Sequence, residues 1–157
     1  MQNKTWHGER LLQTYFKALY GVDFTKHRRP EWLVTSDGRR LEFDGYSHEL
    51  RIAIEHNGAT HYEYCPKFHS SPADLVRQKS NDTRKRYLCK KNGVFLVIIS
   101  RLYTQYPPYK LPLLVKRVYD RNSVALPRAY HGIMVKHDGT VWQTRRVGFH
   151  NKLMKVT

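Results

Sequence analysis

Asp44, Glu55 and His61 are the residues of this chain whose types and spacing suit hydrolytic chemistry. The second carboxylate follows the first by eleven residues, and the imidazole comes six residues later. Phosphodiester cleavage needs a water made nucleophilic and charge neutralised on the phosphate oxygens. Mg²⁺ held by one or two carboxylates supplies both, with Mn²⁺ as a substitute ion. A neutral histidine, with an ordinary pKa of about 6.5, accepts the proton. Asp44 and Glu55 are therefore the expected metal ligands and His61 the expected base. Two stretches must position them. Leu41-Glu42-Phe43 leads into Asp44-Gly45, and Leu50, Ile52 and Ile54 then alternate with Arg51, Ala53 and Glu55. That alternation predicts a strand with one buried face, ending at Glu55. The same count sends His56 to the opposite face, which favours His61 as base.

The elements around this stretch follow in order. Leu12, Phe16 and Leu19 recur at i, i+4 and i+7 and predict a helix over 5–20, stopped at Gly21, with Glu9 in its early turns. Ser36-Asp37-Gly38-Arg39 predicts a hairpin between 32–35 and 40–43 that delivers Asp44, after which Gly45 lets the chain bend. A loop over 59–72 holds His61, Cys65 and His69. The longest helix is expected over 74–92, capped by Ser71 with Asp74 and closed by Asn92-Gly93. Gln78, Asp82 and Lys85 fall on one stripe of it. Such a stripe is ordinarily a solvated face. Here the apolar run 94–99 follows at once and reads as a central strand buried on both faces, so a helix packed beside it can aim Asp82 and Lys85 at the site. A short helix is expected over 113–121. A soft boundary near Pro127 divides a core, 1–126, from a small basic extension, 127–157, with an Asp-Gly hairpin over 133–143.

The charge points to a polyanion. Lys and Arg number 28 against 13 Asp and Glu, a formal net charge of +15, in a chain too rich in apolar residues to be a disordered tail. Double-stranded DNA is the expected partner, and an acidic membrane surface is the weaker one. Lys26, Arg28, Arg29, Lys79, Arg84 and Arg86 are the expected phosphate contacts, with Asn57 and Gln78 on the same surface and Arg145 and Arg146 along the tail. No apolar run approaches the roughly twenty residues of a bilayer span, and the first residues lack a signal-peptide core, which predicts a soluble, intracellular protein. Cys65 and Cys89 suit a reducing compartment. Structural zinc at Cys65 and His69, with His61 in the same spacing and Cys89 as a fourth ligand, is the lesser reading, since there is no CxxC knuckle.

Helix, hairpin, strand, long helix and strand make an α-β-β-β-α-β path. With Gly8-Glu9, Pro30-Glu31-Trp32-Leu33, Leu41-Glu42-Phe43-Asp44-Gly45-Tyr46, Ile54-Glu55-His56-Asn57-Gly58-Ala59-Thr60-His61-Tyr62 and Gln78…Asp82…Lys85, the chain resembles the PD-(D/E)XK nuclease superfamily. Within it, the chain is similar to the very-short-patch-repair endonucleases and the EDxHD homing endonucleases of phages and large DNA viruses. The resemblance covers roughly 6–100. It implies an α/β, restriction-endonuclease-like core and Mg²⁺-dependent hydrolysis of DNA. Asp44 would be the main ligand, His61 the base or water-orienting group, and Glu9 a helper from the first helix. Glu55 is either a second ligand or the residue that holds the Glu-x-Asn-Gly turn. Asn57 stands where the parent motif has lysine, a place that His61 or Lys85 would fill. The alternative is a DNA-binding protein on a catalytically degenerate nuclease fold. A single-site nuclease cuts both strands as a homodimer or by acting twice.

Overall fold

The strand Ile52–Asn57, β2, is flanked on both sides and buried throughout. In the computed structural model, which describes residues 4–26, 29–58, 63–67 and 69–157, β2 pairs antiparallel with β1 (Gly45–Ser47) and parallel with β3 (Phe95–Ser100). The helix α1 (Lys4–Tyr20) covers one face. Its Leu12, Tyr15, Phe16 and Leu19 pack with Ile52 and Ile54 of β2, Val97 and Ile99 of β3, and Val115 and Tyr119 of α3 (Leu111–Arg121). The helix α2 (Pro72–Lys91) covers the other face, where Leu88 and Cys89 meet Ala53, Leu33, Leu41 and Phe43. A strand buried on both faces has no solvated side, so its polar residues must find partners within the protein.

The helix ends follow from local chemistry. Gly21, at φ +72°, takes the left-handed turn that stops α1, and its N–H donates to Lys17 O. Asp74 reaches back to the Ser71 and Ser70 N–H groups and so satisfies donors at the start of α2.

Three features depart from the sequence expectation. The 32–43 hairpin shrinks to one bridge, Val34 to Arg40, because Thr35 Oγ1 accepts the Arg39 N–H at 2.9 Å and bonds Asp37, closing the turn through side chains. Among the described residues the path is therefore mixed α/β with two core strands before α2, not three. Gly45 is no bend; it opens β1, and a Cβ there would stand 2.8 Å from the Ile54 side chain. The central strand is β2, not β3, which lies at the sheet edge and buries only Val97 and Ile99. Correspondingly, β2 runs two residues past Glu55 and is buried on both faces rather than one.

A second antiparallel sheet follows α3: β4 (Ile133–Val135), β5 (Val141–Val147) and β6 (His150–Val156). The expected Asp-Gly turn joins β4 to β5, with Gly139 at φ +82°. Ile133, Val135 and Val141 join the same core as α1, and Gln143 Nε2 donates to Ala18 O at 3.1 Å. No helix among the described residues is long and apolar enough to cross a membrane.

Candidate active site

Antiparallel pairing of β1 with β2 sets Gly45 opposite Ile54 and so brings Asp44 beside the end of β2. Asp44 Oδ2 accepts the His56 N–H at 2.7 Å, and the Asp44 carbonyl accepts Gln13 Nε2 from α1 at 2.6 Å. The Asp44 carboxylate is thus held by β2 and its backbone by α1. Glu55, buried, turns to the α2 face, where Lys85 Nζ donates to Oε1 at 2.7 Å. Glu9, on α1, accepts Lys26 Nζ at 2.8 Å; Lys26 also lies 3.7 Å from Glu42, which Arg29 pairs.

These carboxylates repel one another. Burial pushes the Glu55 carboxyl up to about 8; Lys85 opposes the rise, while Asp44 and then Asp82 add to it. Glu9 is also raised, first by burial, with Lys26 opposing and Asp44 adding. Among the described residues no three His, Cys, Asp or Glu side chains converge as a metal cage. The donor set nevertheless fits Mg²⁺, which takes one or two carboxylates and keeps several waters. A divalent cation against Asp44 and Glu55 would join Lys85 in opposing the rise of Glu55, whose first cause is burial and whose second is the Asp44 charge.

The structure brings Glu9, Asp44, Glu55, Asp82 and Lys85 into one electrostatic neighbourhood. His61 and Arg28 lie outside the described residues. His56 faces α1, away from Glu55: its Nε2 accepts the Leu102 N–H at 3.0 Å, and its ring packs against Gly8. Lys26 and Arg29 sit at the site, with their charge taken up by Glu9 and Glu42. Asn57 is buried and its carbonyl accepts the Arg101 N–H, so it holds the strand end rather than facing DNA. Arg84 Nε donates to Val34 O at 3.1 Å, tying α2 to the bridged arm. Lys79, Arg86, Arg145 and Arg146 are exposed.

The zinc expectation meets a different arrangement. His69 Nδ1 accepts the Cys65 N–H and its Nε2 donates to Gln78 Oε1, both at 3.0 Å, so neither ring nitrogen keeps a lone pair for metal. The same bond occupies Gln78. Cys89 is buried among apolar side chains, where burial pushes its thiol up to about 12. Glu42 is the site residue that sequence reasoning missed. Its signal was the alternation of Leu41 and Phe43, both buried, around it.

No family model matches the chain, and no solved structure matches it. Three curated viral proteins are similar to it. Uncharacterized protein 307L of Invertebrate iridescent virus 6 is 31% identical over 121 residues, covering 68% of this chain and 61% of the relative. Uncharacterized protein 094L of Frog virus 3 is 37% identical over 91 residues, covering 57% and 59%. Uncharacterized protein 033L of Invertebrate iridescent virus 3 is 31% identical over 91 residues, covering 57% and 46%. The chain thus spans about half to three-fifths of the length of these relatives.

Proposed function

We propose that this chain is a Mg²⁺-dependent DNA endonuclease of the PD-(D/E)XK kind, of viral or mobile-element character. One observation carries the proposal: Asp44 is hydrogen-bonded to the N–H next after Glu55 on the buried strand, its charge acts on Glu55, and Lys85 from α2 is hydrogen-bonded to Glu55. Carboxylate, carboxylate and lysine is the constellation that the motif requires. Asn57 holds the motif's lysine position in the sequence, and Lys85 supplies the ammonium from the neighbouring helix instead.

Bound Mg²⁺ supplies a water of lowered pKa and neutralises phosphate charge. Asp44, held at Oδ2 by the His56 N–H, would be the main ligand of that ion. Lys85 keeps Glu55 in place and offers its remaining N–H donors to a phosphate oxygen. Glu9 and Glu42 hold Lys26 and Arg29 at the rim, where these cations meet the DNA backbone on arrival. His61 is the proposed proton acceptor.

Supercoiled plasmid incubated with Mg²⁺ tests the proposal. Wild type is expected to nick or linearise it, and Asp44→Ala to leave it intact. Undiminished cleavage by the variant removes the site. Wild type that binds DNA yet cuts with neither Mg²⁺ nor Mn²⁺ supports the degenerate, binding-only reading that Asn57 motivates.

A further inference from the structure

From Thr144 to Lys155, the outer parts of β5 and β6 and their turn, every residue is exposed. The two strands pair in regular antiparallel register, from Val141 opposite Val156 to Val147 opposite His150. The inner end is anchored, by Val141 and Val156 at the core, by Gln143 on Ala18 and by Lys17, which donates to Thr157 O. Arg145, Met154 and Lys155, though exposed, border a cleft against Lys17, Ala18 and Gly21 at the end of α1, and beyond them the two strands run on as an open ribbon. An isolated ribbon is marginally stable in water and buries little. Its exposed side chains nonetheless include Val147, Leu153, Met154 and, in the turn after Gly148, Phe149 at 94% exposure.

The charge on the ribbon has one sign. No Asp or Glu follows Asp138, whereas Arg145, Arg146, Lys152 and Lys155 all do. Register places Arg145 opposite Lys152 on one face, and Arg146 with Lys155 on the other. An element that lay flat on a polyanion would need cations on one face. Cations on both faces suit an element flanked by phosphates on two sides, as inside a groove. A ribbon with side chains on both faces is about 10 Å thick, and the major groove, about 12 Å wide, admits it.

We propose that the β5–β6 ribbon is an arm that enters the major groove of duplex DNA, its cations reaching the two flanking backbones and Phe149 meeting the groove floor. There an aromatic ring finds the thymine methyl group, the apolar feature that the groove presents. The arm rests on the DNA-binding part of the endonuclease reading but not on cleavage.

The test measures binding of the full chain to a labelled AT-rich duplex in chelator, where no metal-dependent step contributes. Phe149→Ala is expected to weaken binding roughly tenfold, about the loss of one base-level contact, with the salt slope unchanged. Alanine at Arg145, Arg146, Lys152 and Lys155 together is expected to flatten the log–log salt slope by up to about 3.6, at about 0.9 per phosphate contact. Deoxyuridine in place of thymidine should weaken wild type and leave Phe149→Ala unaffected. Wild-type affinity and slope in both variants overturn the arm. Insensitivity of wild type to the missing methyl overturns its place in the major groove. Sedimentation showing a dimer that Phe149→Ala dissolves, with DNA affinity untouched, makes the ribbon a contact between copies and overturns the proposal. Wild type that binds no duplex in chelator also overturns the arm, and the plasmid assay then judges the nuclease site alone.

Discussion

Glu55 with Lys85, and Arg145 with Lys152, are both pairs of ionisable side chains set by strand register or packing, and they stand in opposite surroundings. The first pair is nearly sealed, with side-chain exposures of 6% and 14%, and its ammonium has a carboxyl group at 2.7 Å. The second joins like charges across a ribbon open to water on both faces. Buried charge must be answered inside the protein, because desolvation is costly. Exposed charge of one sign is answered by solvent ions until a partner replaces them, and their release drives binding to DNA. The two regions therefore differ in what mutation should do: the buried one controls stability and chemistry together, and the exposed one controls affinity alone.

The largest expected effect is a pH dependence of stability in metal-free protein. With its carboxyl raised to about 8, folded Glu55 keeps a proton that the unfolded chain releases near the ordinary 4.5. Between those values the native state binds more protons, so stability is present at low pH and is lost as pH rises through about 8. At about 1.4 kcal/mol per unit of displacement, the loss reaches up to about 5 kcal/mol, and urea unfolding in chelator at stepped pH measures it. Glu55→Gln should flatten the curve. Lys85→Ala comes next, with an expected loss of about 1.5–3 kcal/mol at neutral pH from the lost hydrogen bond of a charged donor to Glu55, read by the same unfolding assay.

Gly8→Ala probes the other face of β2. A Cβ at Gly8 would meet the His56 ring at 2.4 to 2.8 Å, so the ring or the helix must give. The expected cost is about 1–3 kcal/mol, with weakened plasmid cleavage as the turn that carries Glu9 shifts. The smallest effect belongs to the ribbon. Alanine at its four cations should move stability by no more than about 0.5 kcal/mol in thermal melts while changing the salt dependence of DNA binding. A large loss of stability there would erase the contrast between the regions.

Much of the scaffold was legible. The i, i+4, i+7 spacing of Leu12, Phe16 and Leu19 with Gly21 marked α1, Ser71 with Asp74 marked the start of α2, and Asp138-Gly139 marked the β4–β5 turn. The central strand was not. Its sequence, Ile-Ala-Ile-Glu-His-Asn, looks half solvated, and it is buried because Glu55 meets Lys85 and His56 meets the Leu102 backbone, partners more than 29 residues away. Residues 94–99 looked more central because they are wholly apolar. The ribbon gave no periodic signal, since neither of its faces is buried. In the site, Asp44, Glu55 and Lys85 were visible as types at suitable spacing. Glu42 was signalled only by the alternation of Leu41 and Phe43 around it, and the occupation of His69 by Cys65 and Gln78 depends on loop geometry that no spacing rule carries.

Metal binding tests the central claim most directly, because it does not require the substrate to be known. Calorimetric titration of Mn²⁺ into wild type at pH 7 should give saturable binding with proton release as Glu55 ionises, and Asp44→Ala should abolish both. Equal binding in the two proteins, or none in wild type, would contradict the assignment of Asp44 and Glu55 as the cation site.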